Sequence, residues 1–310
     1  MRLDLYLHTL YPQFSKRQWG MFLDHGQLIL DGIHTRKPLP LSKGTDTGQF
    51  PQGWVPQIDW DQISKLIDWN RPEAKIPAKI IYEDQFLVVT HKPPGVACHA
   101  NHPNDPETLL DQLRKVRFQP ASREGFLLHR LDMDTSGLVF FAKSQESYSN
   151  LLPLFRRSSS DHPKMEKTYH ARVWGHPPWS EYVCTTPLAH SKTSKQKVVA
   201  VSSDLPEYKH HFRGSPLATE TKFRVLSQDS STSLLEAIIQ TGMMHQIRVH
   251  CASLGYAIVG DKIYGTKVNQ QNHWTELGHH LLDCWKVSME PWEWYPKGLE
   301  VVGPRACWSI

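Results

Sequence analysis

The sequence predicts an α+β fold: one large domain with a central, mainly antiparallel mixed sheet and a cleft, preceded by a small N-terminal module. Three observations predict it. Strand-like and helix-like runs are interspersed without the regular alternation of a βαβ protein. A charged cluster, His-Arg-Leu-Asp at 129–132, lies between two apolar runs, FLL and LVFFA. Charges between core strands must be paired or open to a cleft. Composition also shifts along the chain, and residues 48–77, rich in Gly, Pro and Trp, read as a linker. The expected division is a module at 1–47, a linker at 48–77, a main domain at 78–295 and a tail at 296–310.

The elements follow in order. Leu3, Leu7 and Leu10 give the opening segment a helical period. Ser15 is an N-cap for a second helix, SKRQWGMFLDHG, ending at Gly26, and QLILDG is a short strand with a turn at Asp31-Gly32. The linker holds one amphipathic piece, WDQISKLIDW. IIYEDQFLVVTHKPPG then reads as two strands broken at Glu83-Asp84 and stopped by Pro93-Pro94-Gly95. ETLLDQLRKVRF is a helix, with Arg114, Lys115 and Arg117 clustering at its end. Thr135-Ser136-Gly137 make the turn before LVFFA, and ESYSNLLPLFRR is a helix. KTYHARVWG, ATETKFRVL and SLLEAIIQTG are strands, and HQIRVHCASLG is a helix. GDKIYG is a turn, LLDCWKVSME a late strand, and the tail allows one closing strand.

Bulk properties narrow the class. The 310 residues carry a net charge of +4, so the distribution of charge says more than its sum. No stretch approaches the roughly 18 apolar residues of a membrane span. The N-terminus has a charge inside its apolar part and does not read as a signal peptide. The five cysteines are scattered and never form CxxC, which fits reduced thiols without a zinc site or disulfide frame. A cytoplasmic monomer is expected.

The segment LLHRLDMDTSGLVFFA admits two readings. One is a structural Arg-Asp pair capping a turn. The other is chemical and takes Asp132-Met133-Asp134-Thr135 as the DxDxT of a magnesium-dependent aspartyl phosphatase, which also wants a later acidic pair. GDKIYG supplies only one Asp. In the helix HQIRVHCASL, Gln246, His250 and Ser253 share one face, and Ile247, Cys251 and Leu254 the apolar one. Arg248 near the helix start gains nothing from the dipole, so it is expected to serve a carboxylate or phosphate.

Together, HRLDMDTSGLVFFAK, KTYHARVWG and TGMMHQIRVHCASLGYAIVGDKIYG resemble, in order and spacing, the RluA-type pseudouridine synthase family. The Lys-Pro-x-Gly and His of VVTHKPPGVACHA and the strands ATETKFRVL and HHLLDCWKVSM fit the same likeness, over about residues 78–290. The front module is similar to a ribosomal-protein-S-four-like RNA-binding domain, through RLDLYL, Ser15-Lys16 and GQLILDG. The resemblance implies the pseudouridine synthase fold and a metal-free isomerisation of uridine in RNA, with large-subunit ribosomal RNA first and transfer RNA second. It makes Asp132 the nucleophile, or a base that abstracts a proton. It makes Tyr169 the aromatic that stacks on the base and helps to remove its C5 proton, and Arg248 the cation that pairs with Asp132. Arg130 contacts RNA or fills the space of the flipped nucleotide, Leu131 and Ile247 wall the site, and His245 and Gln246 contact substrate. Lys16, Arg17, Lys192, Lys195 and Lys197 are the expected RNA contacts. One departure stands out: the family's Thr-Gly-Arg is Thr241-Gly242-Met243 here. The missing cation leaves a non-catalytic RNA-binding or assembly protein of the same fold as the rival reading.

Overall fold

The computed structural model describes residues 3–10, 19, 28–30, 33–35, 79–100, 105–118, 125–156, 164–201, 212–240, 242–265 and 278–309. The chain divides into two compact units. One is Met1–Ile76 with His99–Leu127, and the other is Pro77–Cys98 with Leu128–Ile310. The boundary near 77 falls where composition changes. The segment 99–127, read from sequence as part of the main domain, groups with the first unit instead.

In the first unit, α1 spans Leu3–Leu10, with Leu7 fully buried. Strands β1 (Leu28–Leu30) and β2 (Ile33–Thr35) form an antiparallel pair, Leu28 opposite Thr35. The expected helix after Ser15, the turn at Asp31-Gly32, the linker, Lys16 and Arg17 lie outside the described residues, apart from a buried Trp19. Helix α2 (Leu109–Arg117) starts with a capping box. The Thr108 hydroxyl accepts the Asp111 N–H, while the Asp111 carboxylate accepts the Thr108 N–H at 2.9 Å. Arg114, Lys115 and Arg117 belong to its last turn and do not follow it as loose cations. Arg114 is buried, and burial pulls its pKa down to about 10 against the pull of Asp111. Lys115 pairs with Glu107 at 2.7 Å. The short β5 (Phe126–Leu127) closes this unit.

The second unit holds the large sheet. Its strands in chain order are β3 (Lys79–Glu83), β4 (Leu87–Lys92), β6 (Ser136–Ala142), β7 (Met165–Trp174), β8 (Glu181–Cys184), β12 (Thr221–Gln228), β13 (Thr232–Ile239), β14 (Leu282–Met289) and β15 (Leu299–Val302). In space the order is β3-β4-β6-β14-β7-β13-β12-β8, with β15 paired to β14. Among the described strands of the unit only β6 and β14 run parallel, so the sheet is mixed and mainly antiparallel as expected. A small second sheet has β9 (Leu188–Ser191) between β10 (Val198–Ala200) and β11 (Phe212–Leu217). Among the described residues two α-helices complete it: α3 (Gln145–Phe155), capped by the Ser144 hydroxyl, and α4 (Gln246–Ser253). Residues 296–310 are no detached tail, since β15 lies within them and the Trp308 carbonyl accepts two bonds from the Arg172 guanidinium, at 3.0 and 2.7 Å.

Gly137 is not the turn glycine the sequence suggested. The turn comes earlier, at Met133-Asp134, and Gly137 already lies in β6 at φ +119. A Cβ there would sit 2.4 Å from the backbone N and O of Cys284. The glycine therefore permits the close approach of β6 to β14.

Candidate active site

Burial and backbone anchoring build the site before any catalytic group is considered. Lys92 ends β4 fully buried, and its ammonium donates to the carbonyls of Pro93 (2.9 Å), Val96 (2.8 Å) and Met133 (2.8 Å). Burial lowers its pKa to about 8, and nearby Cys98, Asp134 and Asp132 oppose this. The Gly95 N–H also reaches the Met133 carbonyl at 2.9 Å, and the Thr135 N–H closes the turn on the Asp132 carbonyl at 3.1 Å. The Leu131 N–H lies 3.3 Å from Cys98 Sγ. The loop that presents Asp132 is thus held at 131, 133 and 135.

Asp132 is partly exposed, at 25% for its side chain, and its Oδ2 accepts Arg248 Nη1 at 2.8 Å. No hydrogen bond reaches its Oδ1 from the described residues. Arg248 also donates Nε to Asp261 Oδ2 (2.7 Å) and Nη2 to Asp261 Oδ1 (3.0 Å). The guanidinium is therefore a bridge between an open carboxylate and a buried one, with its plane fixed by the bidentate pair. Burial opposes the charge on Arg248, but the Asp261 bonds and then Asp132 outweigh it, so its pKa is raised further. Burial also works against the Asp261 carboxylate, and the Arg248 bonds outweigh that and lower its pKa. The N–H groups of Ile263 (2.8 Å) and Tyr264 (2.9 Å) fill Asp261 Oδ1, so the turn GDKIYG folds around this side chain. The Tyr264 ring lies under the Arg248 guanidinium, 5.3 Å from its centroid.

Tyr169 sits on β7 opposite Cys284 of β14 and is 6% exposed. Burial first, then Cys284 and Asp132, push its phenol well above its ordinary pKa, so it stays protonated. His245 is the N-cap of α4 in the left-handed region, φ 57 and ψ 16, with no side-chain cap bond. It is the only non-glycine residue with positive φ among the described residues. That conformation costs about 1–2 kcal/mol. Its Nδ1 lies 2.9 Å from the Tyr264 hydroxyl and its Nε2 3.6 Å from Asp132 Oδ2. Burial lowers its pKa, with Asp132 opposing and Arg248 assisting.

The other expected residues separate into groups. Arg130 is exposed and Leu131 half-buried, both beside Asp132. Ile247 is buried at 4%. Gln246, expected to touch substrate, is 2% exposed and directed inward. Its amide donates to the Glu220 carbonyl (2.8 Å) and Thr221 (3.2 Å), and its oxygen accepts the Met243 N–H (3.3 Å). His250 likewise bonds Thr221 at 2.8 Å. α4 is accordingly buried from Gln246 through Cys251, without the polar face its spacing suggested. Lys192, Lys195 and Lys197 are exposed on the loop between β9 and β10. That loop ends at Val198, whose N–H donates to the Tyr264 hydroxyl at 3.0 Å. Met243 packs with Met244 and Tyr264 against buried Leu188, Val198 and Val249. An apolar residue there fits its surroundings.

Sequence reasoning passed over Asp261, Tyr264, Lys92 and His280. His280 is buried, with Nε2 2.7 Å from the Thr135 hydroxyl. Asp261 between Gly260 and a following tyrosine was the available signal, read only as a turn. The phosphatase reading finds no support in Asp132's surroundings, because its partner is a guanidinium and no acidic pair faces it among the described residues.

Comparison with known proteins fits this geometry. The family described as RNA pseudouridylate synthase matches residues 86–253. The chain is 33% identical over 219 residues to the ribosomal large subunit pseudouridine synthase D of Zymomonas mobilis, covering 69% of this chain and 61% of that protein, less than two thirds of its length. It is 29% identical to an uncharacterized RNA pseudouridine synthase of Aquifex aeolicus, covering 86% of this chain and 77% of the relative. The fold matches human RNA pseudouridylate synthase domain containing 1 with a TM-score of 0.58 at 21% identity, covering 76% of this chain and 86% of that one. The matched segment holds Asp132, Tyr169, His245 and Arg248 together, and the chain belongs to the RNA pseudouridylate synthase family.

Proposed function

We propose that this protein isomerises a uridine of large-subunit ribosomal RNA to pseudouridine, with Asp132 as the carboxylate that acts at the ribose. The observation that carries the reading is the Arg248 bridge, which holds one oxygen of Asp132 while the other accepts no bond from the described residues. The bond between C1′ and N1 breaks with its electron pair on the uracil. The ring turns, C5 bonds to C1′, the C5 proton leaves and N1 takes up a proton. Atoms and oxidation state are conserved, so no co-substrate enters. Asp132 serves either as nucleophile at the ribose or as a base. Tyr169, held neutral in the wall, offers a flat face to the base. The name of the Zymomonas mobilis relative supports the ribosomal substrate, and such a substrate places the work in the cytoplasm. The basic loop at 192–197, together with Lys16, Arg17 and Arg130, supplies phosphate contacts.

Met243 is the feature that favours a non-catalytic binding protein. Its packing against Leu188, Val198 and Val249 gives the substitution a structural reason and leaves the Asp132–Arg248 pair intact. The test is Asp132→Asn, assayed by release of tritium from C5-labelled transcripts of ribosomal and transfer RNA. Turnover is expected to fall by on the order of a thousandfold or more while RNA binding persists. A variant keeping about a tenth of wild-type turnover would overturn the role of Asp132. Activity confined to transfer RNA would move the substrate assignment.

A further inference from the structure

The bond network around His245 fixes more than its position. The Tyr264 hydroxyl oxygen accepts the Val198 N–H at 3.0 Å. Burial raises the Tyr264 pKa to about 12, so the phenol keeps its proton and must place it on an acceptor. His245 Nδ1 stands 2.9 Å away. With Tyr264 donating to Nδ1, a neutral imidazole carries its one proton on Nε2. That nitrogen lies 3.6 Å from Asp132 Oδ2, too far for a hydrogen bond, in a side chain that is 10% exposed. The left-handed backbone at His245 aims the ring here, since the residue forgoes the usual cap bond to its own helix. The charged groups facing the ring are Asp132, Arg248 and Asp261, and burial keeps the ring neutral among them.

We propose that His245 is a fixed hydrogen-bond donor of the reaction, its Nε2–H presented beside Asp132 to bond a carbonyl oxygen of the uracil as the glycosidic bond opens. The inference rests on the pseudouridine reading above. When C1′–N1 breaks, the electron pair left on the uracil spreads over N1 and the two carbonyl oxygens. A preorganised donor that is itself largely buried stabilises that charge, and no proton need be transferred. Asp132 cannot do this itself, being an anion engaged with the sugar. Arg248 has its Nε and both terminal nitrogens on the two carboxylates. His245 is the neighbouring donor whose proton has no such engagement. It touches the reacting base and is in that sense catalytic, whereas Tyr264 is a positioning residue that acts through it.

The experiment has two arms. In the first, the full chain is labelled with ¹⁵N-histidine, and long-range proton–nitrogen correlations are recorded at neutral pH without RNA, with His245 assigned by its loss in His245→Asn. The neutral Nε2–H tautomer is expected, and Tyr264→Phe should abolish its dominance. A wild-type ring protonated on Nδ1 overturns the proposal whatever RNA the enzyme takes. In the second arm, tritium release from C5-labelled ribosomal and transfer RNA transcripts is measured for wild type, His245→Asn and His245→Gln. Asn tolerates the left-handed backbone but falls short of the base, while Gln restores a donor. Loss of one such donor should slow turnover on the order of a hundredfold, with RNA affinity unchanged and part of the rate recovered in His245→Gln. A His245→Asn rate within about threefold of wild type, well below the loss of an oxyanion-type donor, overturns the proposal alone. Wild type that releases no tritium from either RNA overturns the pseudouridine reading and this inference with it.

Discussion

Asp261 and Asp283 are both fully buried in the same unit, yet they are held in different ways. Asp261 receives two charge-assisted bonds from Arg248 and two backbone N–H bonds. Asp283 receives the Ser136 hydroxyl at 2.5 Å and has His91 Nε2 at 3.3 Å, which is not aligned for a hydrogen bond. Its Oδ2 accepts no hydrogen bond from the described residues, and the nearby His170 Nδ1 and Trp285 Nε1, whose rings stack at 4.8 Å, likewise have no hydrogen-bond partner among them. In the sheet Asp283 pairs across with His170, while its neighbour Cys284 pairs with Tyr169, so the two pairs point to opposite faces. The difference teaches that polar satisfaction is concentrated where geometry must be exact to an ångström. A permanent cation in a fork fixes Asp261, and a hydroxyl and an imidazole merely accompany Asp283.

The largest expected effect breaks the first carboxylate. Arg248→Met takes the cationic partner away from buried Asp261, which should cost about 3–5 kcal/mol of stability. Urea denaturation measures it, and a loss below about 1 kcal/mol would mean that Asp261 does not depend on this pair.

An intermediate effect sharpens the contrast through pH. Burial first, then Arg248, pushes the His280 pKa from 6.5 down to about 3. Below about pH 6.5 the unfolded chain binds a proton at this residue and the folded chain does not. Stability therefore falls as pH drops from 6.5 towards 3, by up to about 1.4 kcal/mol per pH unit. His280→Gln can keep a bond to Thr135 without titrating. Urea melts between pH 7 and 4 should show a shallower loss for the variant, and parallel curves would remove His280 from the account.

The smallest effect belongs to the second carboxylate. Asp283→Asn keeps the shape and an acceptor for Ser136 while removing a carboxylate that forms no ion pair with a Lys or Arg among the described residues. Its stability should change by no more than about 1 kcal/mol in either direction. A loss above about 3 kcal/mol in the same melts would place Asp283 with Asp261 and collapse the comparison.

Much of this contrast was hidden in the sequence for physical reasons. Periodicity found the strands over KTYHARVWG and LLDCWKVSME, because alternation and apolar runs report burial locally. The same rule gave α4 a polar face that does not exist, since Gln246 and His250 find buried partners on β12 and its approach, distant in sequence. Gly137 was read as a turn because glycine favours turns, whereas its constraint is the backbone of Cys284, 147 residues later. Asp132 and Arg248 stood out as charges in apolar surroundings. Asp261 looked like an ordinary turn aspartate, because nothing local announces that its partner is a guanidinium on a helix. The left-handed backbone of His245 has no sequence signal comparable to a glycine.

The Lys92 clamp bears on how freely this site can diversify. All three acceptors of its ammonium are main-chain carbonyls, at Pro93, Val96 and Met133. The fixation of the Asp132 loop is therefore indifferent to which side chains those positions carry. Met133, 58% exposed immediately after Asp132, can change its chemistry while its carbonyl continues to hold the loop. A clamp of this kind uncouples the two: the side chain beside Asp132 is free to vary, and the backbone that positions Asp132 is not.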